Sequence, residues 1–588
     1  MALIQKKPYK ADTAENTVFR IREILHKCLG ILLKEEHFQA YGFFSCRITI
    51  ANNGLAQLSI GTNGKGMTFE YALASAYGEF MERLQNRCLI SYRTTSSIES
   101  SASPFNLKFH VAPDEKIIRF KKGDPYIRKY LRQPDIDSVE DTFSGKPLVL
   151  VPFCNVSKKQ IEYLPIGAIF TFCTSNGMCA GNTPKEAIIQ GLNEILERHI
   201  SKEIYENHIS FPDIPISTFE KTPVYDKLIK LSIDTKYHIQ IKDCSLNMGI
   251  PAIGILIYNQ ENTKYHFHLG VDPSPITALE RTLTEVYQGR FEAHLKKIDW
   301  VYQSLMLTDS SLARKELYKT TTTGRGHHPI SLLVNQPSYT FEGFDESWGL
   351  SDNEDLKKLL AIFSRLNVDV FIRDVSFLGF PAYNIFVPGI SEFNSFSKLS
   401  NLSNEDSQRI IRASRNLYKA EKDDVRTLIK YMVENEDTGL SYLKFYNHNN
   451  IFSRYDRKII LSLLYFFTGQ YKESYNSIDE YIDTHELNNK ELMFFSCMRA
   501  VISTFFTSNN LKNIETLYEK QLVSIVNAFL TERKWLDFLK TTNCFDCDIC
   551  KLKDSCGLYH THSIVKKMEL CYENNLPNQE SLMNLVEE

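Results

Sequence analysis

The sequence predicts an α+β domain over residues 1–403, an all-α domain over 404–540 and a short cysteine-rich tail over 541–588. Strand-like runs alternate with amphipathic helical runs in the first part, and strand signals stop near residue 404. Five of the thirteen cysteines fall between Cys544 and Cys571. A chain of 588 residues is too long for one ordinary core, so two or three domains are expected on length alone.

The composition excludes several classes of protein. Hydrophobic residues make up 43% and charged residues 24% of the chain, which is the balance of a globular protein. The net charge of -3 provides no strong basic field to collect nucleic acid, although a net charge does not exclude a local basic patch. No apolar run is long enough to span a membrane, and MALIQKKPYKADTAENT lacks the apolar core of a signal peptide. We therefore expect a cytoplasmic protein that binds neither membrane nor nucleic acid directly.

Six strand-like runs rich in Val, Ile and aromatic residues mark the first domain. They are CRITIAN, LAQLSIG, HIQIKDCS, AIGILIYN, VDVFIRDVS and AYNIFVPG. Helices with clear apolar periodicity lie between them. The segment KTTTTGRGHHP, residues 319–329, is expected to form a mobile loop.

The second domain carries helical patterns alone. RKIILSLLYFFTGQYKESYNSIDEYID resembles a single tetratricopeptide-type helix pair with Gly469 at its turn. One such pair cannot bury its apolar face alone, so it must pack on neighbouring helices. We interpret this domain as a packing or docking module.

One motif recurs along the first domain. Residues 66–83 and 181–198 share the pattern Gly-x-Thr-x-x-x-Ala-x-x-x-x-x-x-Glu-x-x-Glu-Arg, and residues 274–288 keep part of it. Thr183-Pro-Lys-Glu186 predicts a capping box with Pro in the first helical position, and Ser274-Pro275 opens the third helix similarly. Each helix then presents one polar face: Ser75, Glu79, Glu82 and Arg83; Gln190, Glu194, Glu197 and Arg198; Arg281, Glu285 and Gln288.

Two readings of these faces compete. A single Glu-x-x-Glu-Arg is ordinarily a solvated helix face with ion pairs. Three phased copies flanked by apolar residues favour a shared, partly buried site, where five carboxylates exceed what three arginines neutralise. A hard divalent cation suits the excess carboxylates, and arginine suits a phosphate. The sequence therefore predicts magnesium–nucleotide binding.

Two glycine-rich segments fit a nucleotide site but are weak evidence. GTNGKGMT, residues 61–68, is expected to be a turn with Lys65 before a helix, and SNGMCAGNTP, residues 175–184, supplies Asn182. Neither is a Walker A loop, and a plain turn explains either equally well.

The same segments carry a family resemblance. TNGKGMTFEYALASAYGEFMERL, SNGMCAGNTPKEAIIQGLNEILERH and ALERTLTEVYQGR resemble the three signature stretches of YcaO proteins. FLGFPAYNIFVPG resembles the end of the YcaO domain. With the helical tail, the resemblance extends to the long bacterial YcaO proteins associated with methylthiolation of a small-subunit ribosomal protein.

The resemblance implies an enzyme that hydrolyses ATP with magnesium to activate a backbone amide of a peptide or protein. A nucleophile adds to the carbonyl, and the oxyanion is phosphorylated and expelled to give a thioamide, azoline or amidine. By position, magnesium ligands would be Glu79, Glu82, Glu194, Glu197 and Glu285. Groups on the phosphates or nucleoside would be Ser75, Asn182, Arg198 and Arg281, with Arg83 and Gln190 as neighbours and Lys10 and Thr17 as further nucleotide contacts. Glu79, Glu194, Glu285 and Arg281 are the expected catalytic residues.

The resemblance leaves three functions open. The first is amide activation for thioamidation, or as accessory to ribosomal protein methylthiolation. The second is an azoline-forming cyclodehydratase subunit for peptide natural products. Against it, the ending LMNLVEE lacks the proline-rich terminus of azoline-forming members, and we recognise no leader-binding module. The third is a nucleotide-binding adaptor acting through its helical domain. A partner protein would deliver substrate or sulfur, and a homodimer is expected.

The tail CFDCDICKLKDSCGLYHTH suggests a second metal site. Paired C-x-x-C spacing followed by further Cys and His suits tetrahedral zinc, and the spacing also resembles auxiliary iron–sulfur clusters of radical enzymes. The alternative is a set of unliganded, reduced thiols. The candidate ligands are Cys544, Cys547, Cys550, Cys556 and His560.

Overall fold

A computed structural model describes most of the chain. The described residues are 3, 6–52, 55–56, 60–90, 112–145, 147–289, 292–334, 336–393, 406, 409–410, 413, 417, 420–434, 456–539 and 557–585. The chain divides into two compact units. The first unit comprises Met1–Glu99, His110–Lys398 and His562–Glu588, and the second comprises Ser100–Phe109 and Leu399–Thr561. The three domains expected from the sequence remain a prediction.

The first unit mixes helices and strands, as the sequence predicts. Its described strands are β1 (Leu33–Ala40), β2 (Phe43–Ile50), β3 (Gly61–Gly66), β4 (Lys116–Arg119), β5 (Pro147–Asn155), β6 (Gln160–Pro165), β7 (Met178–Ala180), β8 (Asp213–Ile214), β9 (His238–Asp243), β10 (Ala252–Tyr258), β11 (Lys264–Val271), β12 (Lys296–Lys297), β13 (Phe371–Asp374) and β14 (Ala382–Phe386). Its helices are α1 (Ala14–Ile24), α2 (Phe69–Gln85), α3 (Pro125–Arg128), α4 (Ile136–Phe143), α5 (Ile166–Cys173), α6 (Pro184–Glu206), α7 (Pro223–Thr235), α8 (Pro275–Val286), α9 (Trp300–Leu305), α10 (Ser310–Thr323) and α11 (Asp352–Arg365).

These strands form three antiparallel sheets within the described part of the unit. The first has the order β1-β2-β3, and the second has the order β12-β11-β10-β9-β8. The third has the order β4-β5-β13-β14-β7, with β6 also paired to β5. β10 reads Ala-Ile-Gly-Ile-Leu-Ile-Tyr without alternation because it is buried on both faces between β9 and β11.

The three helices of the repeated motif each pack on a sheet. α2 lies on β2 and β3, α6 contacts β7, β14 and β11, and α8 contacts β10, β11 and β3. The repeated alanine is the contact residue, since Ala72, Ala187 and Ala278 are each at most 1% exposed. This common packing directs the polar faces of α2, α6 and α8 towards each other.

Glycine is required at its position in the motif for a steric reason. A Cβ on Gly66 would lie 2.6 Å from the Ala72 nitrogen, and one on Gly181 would lie 2.8 Å from the Ala187 nitrogen. A side chain in either place would push the preceding segment off its helix. Gly-x-Thr-x-x-x-Ala therefore encodes a close approach of chain to helix, immediately before the Thr cap.

Two local expectations were wrong. Residues 61–66 form β3 rather than a turn, because they pair with β2 along their length. Residues 319–323 belong to α10, which ends at Gly324 with φ at 70°, so only the remainder of 319–329 is loop. His328 within that remainder is 2% exposed, which places it in the core rather than on a free surface loop.

The described elements of the second unit are helical. They include α12 (Lys422–Glu434), α13 (Arg457–Thr468), α14 (Tyr471–Thr484), α15 (Asn489–Ser503), α16 (Leu511–Ile514) and α17 (Lys520–Thr531). Gly469 ends α13 in the left-handed region, with φ at 85°, and so makes the turn into α14. Ser462 and Ser474 bond across this pair, and its apolar faces join one core with α12, α15 and α17.

The last helix, α18 (Gly557–Asn574), continues into the first unit from His562 onward. There the Tyr572 hydroxyl donates to Asp114 Oδ2 at 2.7 Å. The Gln579 amide bonds both the N–H and the C=O of Asp374, as a neighbouring strand would. No helix among the described residues combines the length and apolarity needed to cross a membrane.

Candidate functional site

The motif carboxylates pair first with arginines of their own helices. On α2, Arg83 Nε lies 3.2 Å from Glu82 Oε1 and 3.7 Å from Glu79 Oε1. On α6, an Arg198 terminal nitrogen lies 3.9 Å from Glu194 Oε1. The i, i+4 spacing read from the sequence thus produces the Glu79–Arg83 and Glu194–Arg198 pairs, whereas Glu82 and Arg83 are adjacent residues.

Further contacts join the three helices. Lys65 of β3 forms an ion pair with Glu285 of α8. Arg281 of α8 donates to Gln190 Oε1 of α6 and lies 4.0 Å from Glu197 Oε2. The structure therefore brings together the polar faces of all three motif copies.

Burial sets the electrostatics of this cluster. The pKa values of Glu79 and Glu82 are raised by burial, and the nearby Glu194 carboxylate raises both further. Burial also raises the pKa of Glu197, although Arg198 and Arg281 oppose the change. Carboxylates with raised pKa values are under-neutralised, so the site favours additional positive charge.

The pKa values of the cations in the cluster are also shifted. Burial and, after it, the charge of Arg281 lower the pKa of Lys65 to about 8. For Arg83, burial opposes the charged form, but the neighbouring acidic groups, Glu82 foremost, together outweigh burial and raise the pKa. Lys65 therefore loses its proton more easily than Arg83 does.

The donor set fits magnesium chemically, but it is not assembled around an ion. Among the described residues, Glu82 Oε1 accepts no hydrogen bond, although Arg83 Nε is 3.2 Å away, and Arg281 Nε donates none. The described part of the chain has no group of three His, Cys, Asp or Glu side chains placed to hold a metal. The carboxylates instead meet Lys65 and the arginines, with which a divalent cation would compete.

The N-terminal segment reaches the start of α6. The Thr17 hydroxyl donates to Asn182 Oδ1 at 2.9 Å, and Lys10 Nζ lies 3.8 Å from Glu186 Oε1. The structure thus joins Thr17 to the loop that carries Asn182, and Lys10 to the first turn of α6.

The predicted capping box is half formed. The Thr183 hydroxyl accepts from the Glu186 N–H, as predicted. The Glu186 carboxylate does not return to Thr183; it accepts from the Asn182 N–H at 3.3 Å and the Ala11 N–H at 2.8 Å. The N-terminal segment supplies a donor that the local sequence could not reveal.

The remaining predicted residues have separate positions. Ser75 is half-buried on α2, one turn before Glu79. Gln288 does not continue the α8 face, because the helix ends at Val286. Cys544, Cys547, Cys550 and Cys556 lie outside the described residues, and His560 lies on α18.

Sequence reasoning missed two site neighbours. His268 of β11 faces the cluster: burial holds its pKa well below the usual value, and the charges of Lys65 and Arg198 lower it further. Burial raises the pKa of Tyr9, and the Glu280 carboxylate adds to the change, which Arg281 opposes. One of two His residues in a buried strand and a Tyr in an N-terminal segment carry no periodic signal that marks them.

Together, the fold and the cluster define a mixed helix-and-sheet protein in which three helices and one strand share a carboxylate–cation site. A sequence-family model described as "YcaO cyclodehydratase, ATP- and Mg2+-binding" matches residues 63–391. The match covers more than half of the chain, and the chain belongs to the YcaO family.

Two curated relatives match at similar strength. One is an uncharacterised protein of Haemophilus influenzae, 31% identical over 341 residues. The other is the ribosomal protein S12 methylthiotransferase accessory factor YcaO of Escherichia coli, 31% identical over 347 residues. Each alignment covers 56% of this chain and 57% of the relative, so the chain spans little more than half the length of these relatives.

Solved structures give a weaker likeness. A heterocyclase in complex with substrate and cofactor is 17% identical with a TM-score of 0.45, covering 66% of this chain and 55% of that one. YcaO from Methanopyrus kandleri, bound with AMPPCP and Mg2+, is 16% identical with a TM-score of 0.41, covering 67% and 96%.

Proposed function

We propose that this protein is an ATP- and magnesium-dependent enzyme that activates a backbone amide of a peptide or protein. The observation that carries the proposal is the cluster in which α2, α6 and α8 each contribute at least one carboxylate and an arginine, joined by Lys65. The description of its family as ATP- and magnesium-binding supports the same chemistry.

The proposed residue roles follow the motif. Magnesium would be held by Glu79, Glu82, Glu194, Glu197 and Glu285. The phosphates or nucleoside would meet Ser75, Asn182, Arg198, Arg281, Lys10 and Thr17, with Arg83 and Gln190 positioning the carboxylates and Arg281. When bound, ATP supplies the phosphoryl group that turns an amide oxygen into a leaving group.

The chain's own groups then have two tasks. Arg198 and Arg281 stabilise negative charge, because cations fixed in a partly buried site need no reorganisation during reaction. A carboxylate whose pKa is raised by burial, such as Glu79 or Glu197, is a stronger proton acceptor than an exposed carboxylate and is suited to take a proton if it is free of metal.

Among reactions of this class, we favour sulfur insertion into a backbone amide or an accessory role in methylthiolation of a ribosomal protein. The 31% identity to the Escherichia coli accessory factor supports this choice. An azoline-forming cyclodehydratase subunit is the second candidate, which the name of the family model favours. A nucleotide-binding adaptor is the third, since the second unit offers a separate helical core.

The second unit is proposed to be a tetratricopeptide-like docking module for a partner that delivers substrate or sulfur. The α13–α14 pair with its Gly469 turn supports this proposal. A cytoplasmic homodimer and an iron–sulfur or zinc site in the tail remain predictions. Iron and zinc measurement on anaerobically purified protein tests the tail, and metal-free protein would contradict that site.

The test of the main proposal is ATP turnover by purified protein with magnesium. Release of ADP or AMP supports an enzyme, whereas nucleotide binding without turnover in the presence of candidate partners supports the adaptor. Mass spectrometry of ribosomal protein S12 and of co-expressed peptides then separates the two enzymatic candidates. A loss of water from a Cys-, Ser- or Thr-rich peptide, with S12 unchanged, would overturn the ribosomal assignment.

A further inference from the structure

Two thiols that are far apart in the sequence are neighbours in the first unit. Cys28 is exposed in the π-type turn Leu25–Leu29 that continues α1, and Cys571 is half-buried near the end of α18. Cys571 packs against the apolar cluster that contains Leu29, and its pKa is raised by burial and by the neighbouring Cys28 thiol. Neither residue belongs to the carboxylate cluster or to the cysteine motif of the tail.

Side-chain contacts between the two segments hold this pair in place. Lys567 Nζ donates to the Leu29 carbonyl oxygen at 3.2 Å. Lys567 precedes Cys571 by one helical turn, and Leu29 directly follows Cys28, so this contact fixes the two segments beside the thiols. Val565 and Met568 of α18 also join the apolar cluster that contains Leu29.

We propose that Cys28 and Cys571 form a redox modification site that accepts a disulfide crosslink by exchange with a small-molecule disulfide such as oxidised glutathione. The inference does not depend on the proposed ATP chemistry. It requires two cysteines on packed segments, which is the arrangement described, and not a lone reactive thiol.

The exchange balances in two steps. The exposed Cys28 thiolate attacks one sulfur of the oxidised disulfide, which forms a mixed disulfide and releases one glutathione thiolate. Cys571 then loses its proton and attacks Cys28 Sγ, which releases the second glutathione. Two protein thiols are oxidised and one glutathione disulfide is reduced. Burial raises the pKa of Cys571, and Cys28 adds to the change, so Cys28 is the first nucleophile.

The crosslink would tie the last helix to the end of α1. α1 also carries Thr17, whose hydroxyl donates to Asn182 just before α6. A covalent tie across most of the chain limits the unfolded ensemble, so the oxidised protein is expected to be the more heat-resistant form.

The test begins with fully reduced, full-length protein treated with oxidised glutathione. Free thiols are then alkylated, and the unreduced protein is digested for mass spectrometry. We expect a Cys28–Cys571 peptide pair that is absent from Cys28→Ser and Cys571→Ser. The pair should persist in Cys88→Ser, which removes another half-buried thiol of the same unit. The thermal midpoint of the oxidised wild type should rise by about 3 °C, and the rise should be lost in the first two variants.

Three results would overturn the inference. One is a stable glutathione adduct on Cys28 with Cys571 still open to alkylation. Another is pairing of either thiol with the cysteines at 544–556. The third is no disulfide at Cys28 under conditions that oxidise an unfolded control of the same chain. If Cys571→Ser folds poorly, Cys28→Ser still tests the inference, because Cys28 is exposed and its replacement should not disturb folding.

Discussion

Lys65 on β3 is the ion-pair partner of Glu285 on α8, and this contact links the strand of the first motif copy to the helix of the third. Both side chains are about equally shielded, with 28% and 27% of their surfaces exposed. An ammonium group in this position occupies a carboxylate that the proposed function assigns to magnesium. Lys65 would therefore compete with the proposed metal for Glu285.

Replacement of Lys65 should strengthen the response to magnesium alone. In Lys65→Met the Glu285 carboxylate has lost its competing cation, so the rise in thermal midpoint with Mg2+, in the absence of nucleotide, should begin at roughly tenfold lower Mg2+ concentration. Thermal shift titrations measure this. Lys34→Met removes an exposed lysine of the same sheet and should respond like the wild type. Identical titrations for wild type and Lys65→Met would show that Lys65 does not compete.

The wild-type response to magnesium should also depend on pH through Lys65. Burial lowers the pKa of this ammonium to about 8, so it is mostly charged at pH 7 and mostly neutral at pH 9. Loss of the charge frees Glu285, and the apparent Mg2+ affinity should rise over this interval. The same titration of Lys65→Met at both pH values is the control, and it should change less than the wild type.

The central carboxylate of α6 should be required for turnover. Glu194→Gln keeps the shape of the side chain but removes a negative charge from the cluster, and ATP turnover should fall about 100-fold or more. Arg281→Ala should also abolish turnover, because it removes the contacts to Gln190 and Glu197. Glu206→Gln, near the exposed end of the same helix, is the matched control. Near-normal turnover by Glu194→Gln would remove the site assignment.

Much of the site could be anticipated because its determinants are local. Thr183 and Ser274 cap their helices from adjacent residues, and Glu194 and Arg198 are fixed by helical spacing. Three copies in one phase then indicate a shared site. This reasoning requires no knowledge of the tertiary fold beyond the convergence of three helices.

The features that were mispredicted depend on distant partners. GTNGKG resembles a turn by composition, but β2 pairs with it and makes it a strand. Glu186 has the spacing of a capping box, yet its carboxylate accepts a hydrogen bond from the Ala11 N–H. His268 was missed because only β11 and its neighbours bring it towards Lys65. Periodicity in one sequence contains no information on these pairings.

Acid should destabilise the third sheet through Glu162. Burial raises the pKa of its carboxyl, but hydrogen bonds from Lys129, Gln160, Asn155 and Tyr130 outweigh burial and lower the pKa to about 2 from the usual 4.5. A lowered folded pKa means that the stabilisation is present above the unfolded value and is lost as pH falls from about 4.5 to about 2. We expect a loss of about 1 to 2 kcal/mol, since Lys129 is half exposed and solvent screens it.

Hydrogen exchange of peptides from β5 and β6 measures this effect locally, which matters because a chain with two units need not unfold in one transition. Glu162→Gln should be less stable at pH 7 and should lose less protection on acidification. Asp141→Asn changes an exposed carboxylate and should keep the wild-type pH dependence. An unchanged acid response in Glu162→Gln would show that another group is responsible.

Gly66, the glycine of the motif, should not tolerate a side chain. Gly78, which lies within α2, should tolerate one. In Gly66→Ala the new Cβ would meet the Ala72 nitrogen at 2.6 Å, so β3 must shift away from α2 at a cost of about 1 to 3 kcal/mol. In Gly78→Ala nothing lies within 4 Å, and the better helix propensity should stabilise α2 by about 0.5 to 1 kcal/mol. Hydrogen exchange of the peptide covering residues 61–85 should therefore accelerate in the first variant and slow in the second. Equal exchange in both variants would mean that the close approach of β3 to α2 is not the reason for a glycine at position 66.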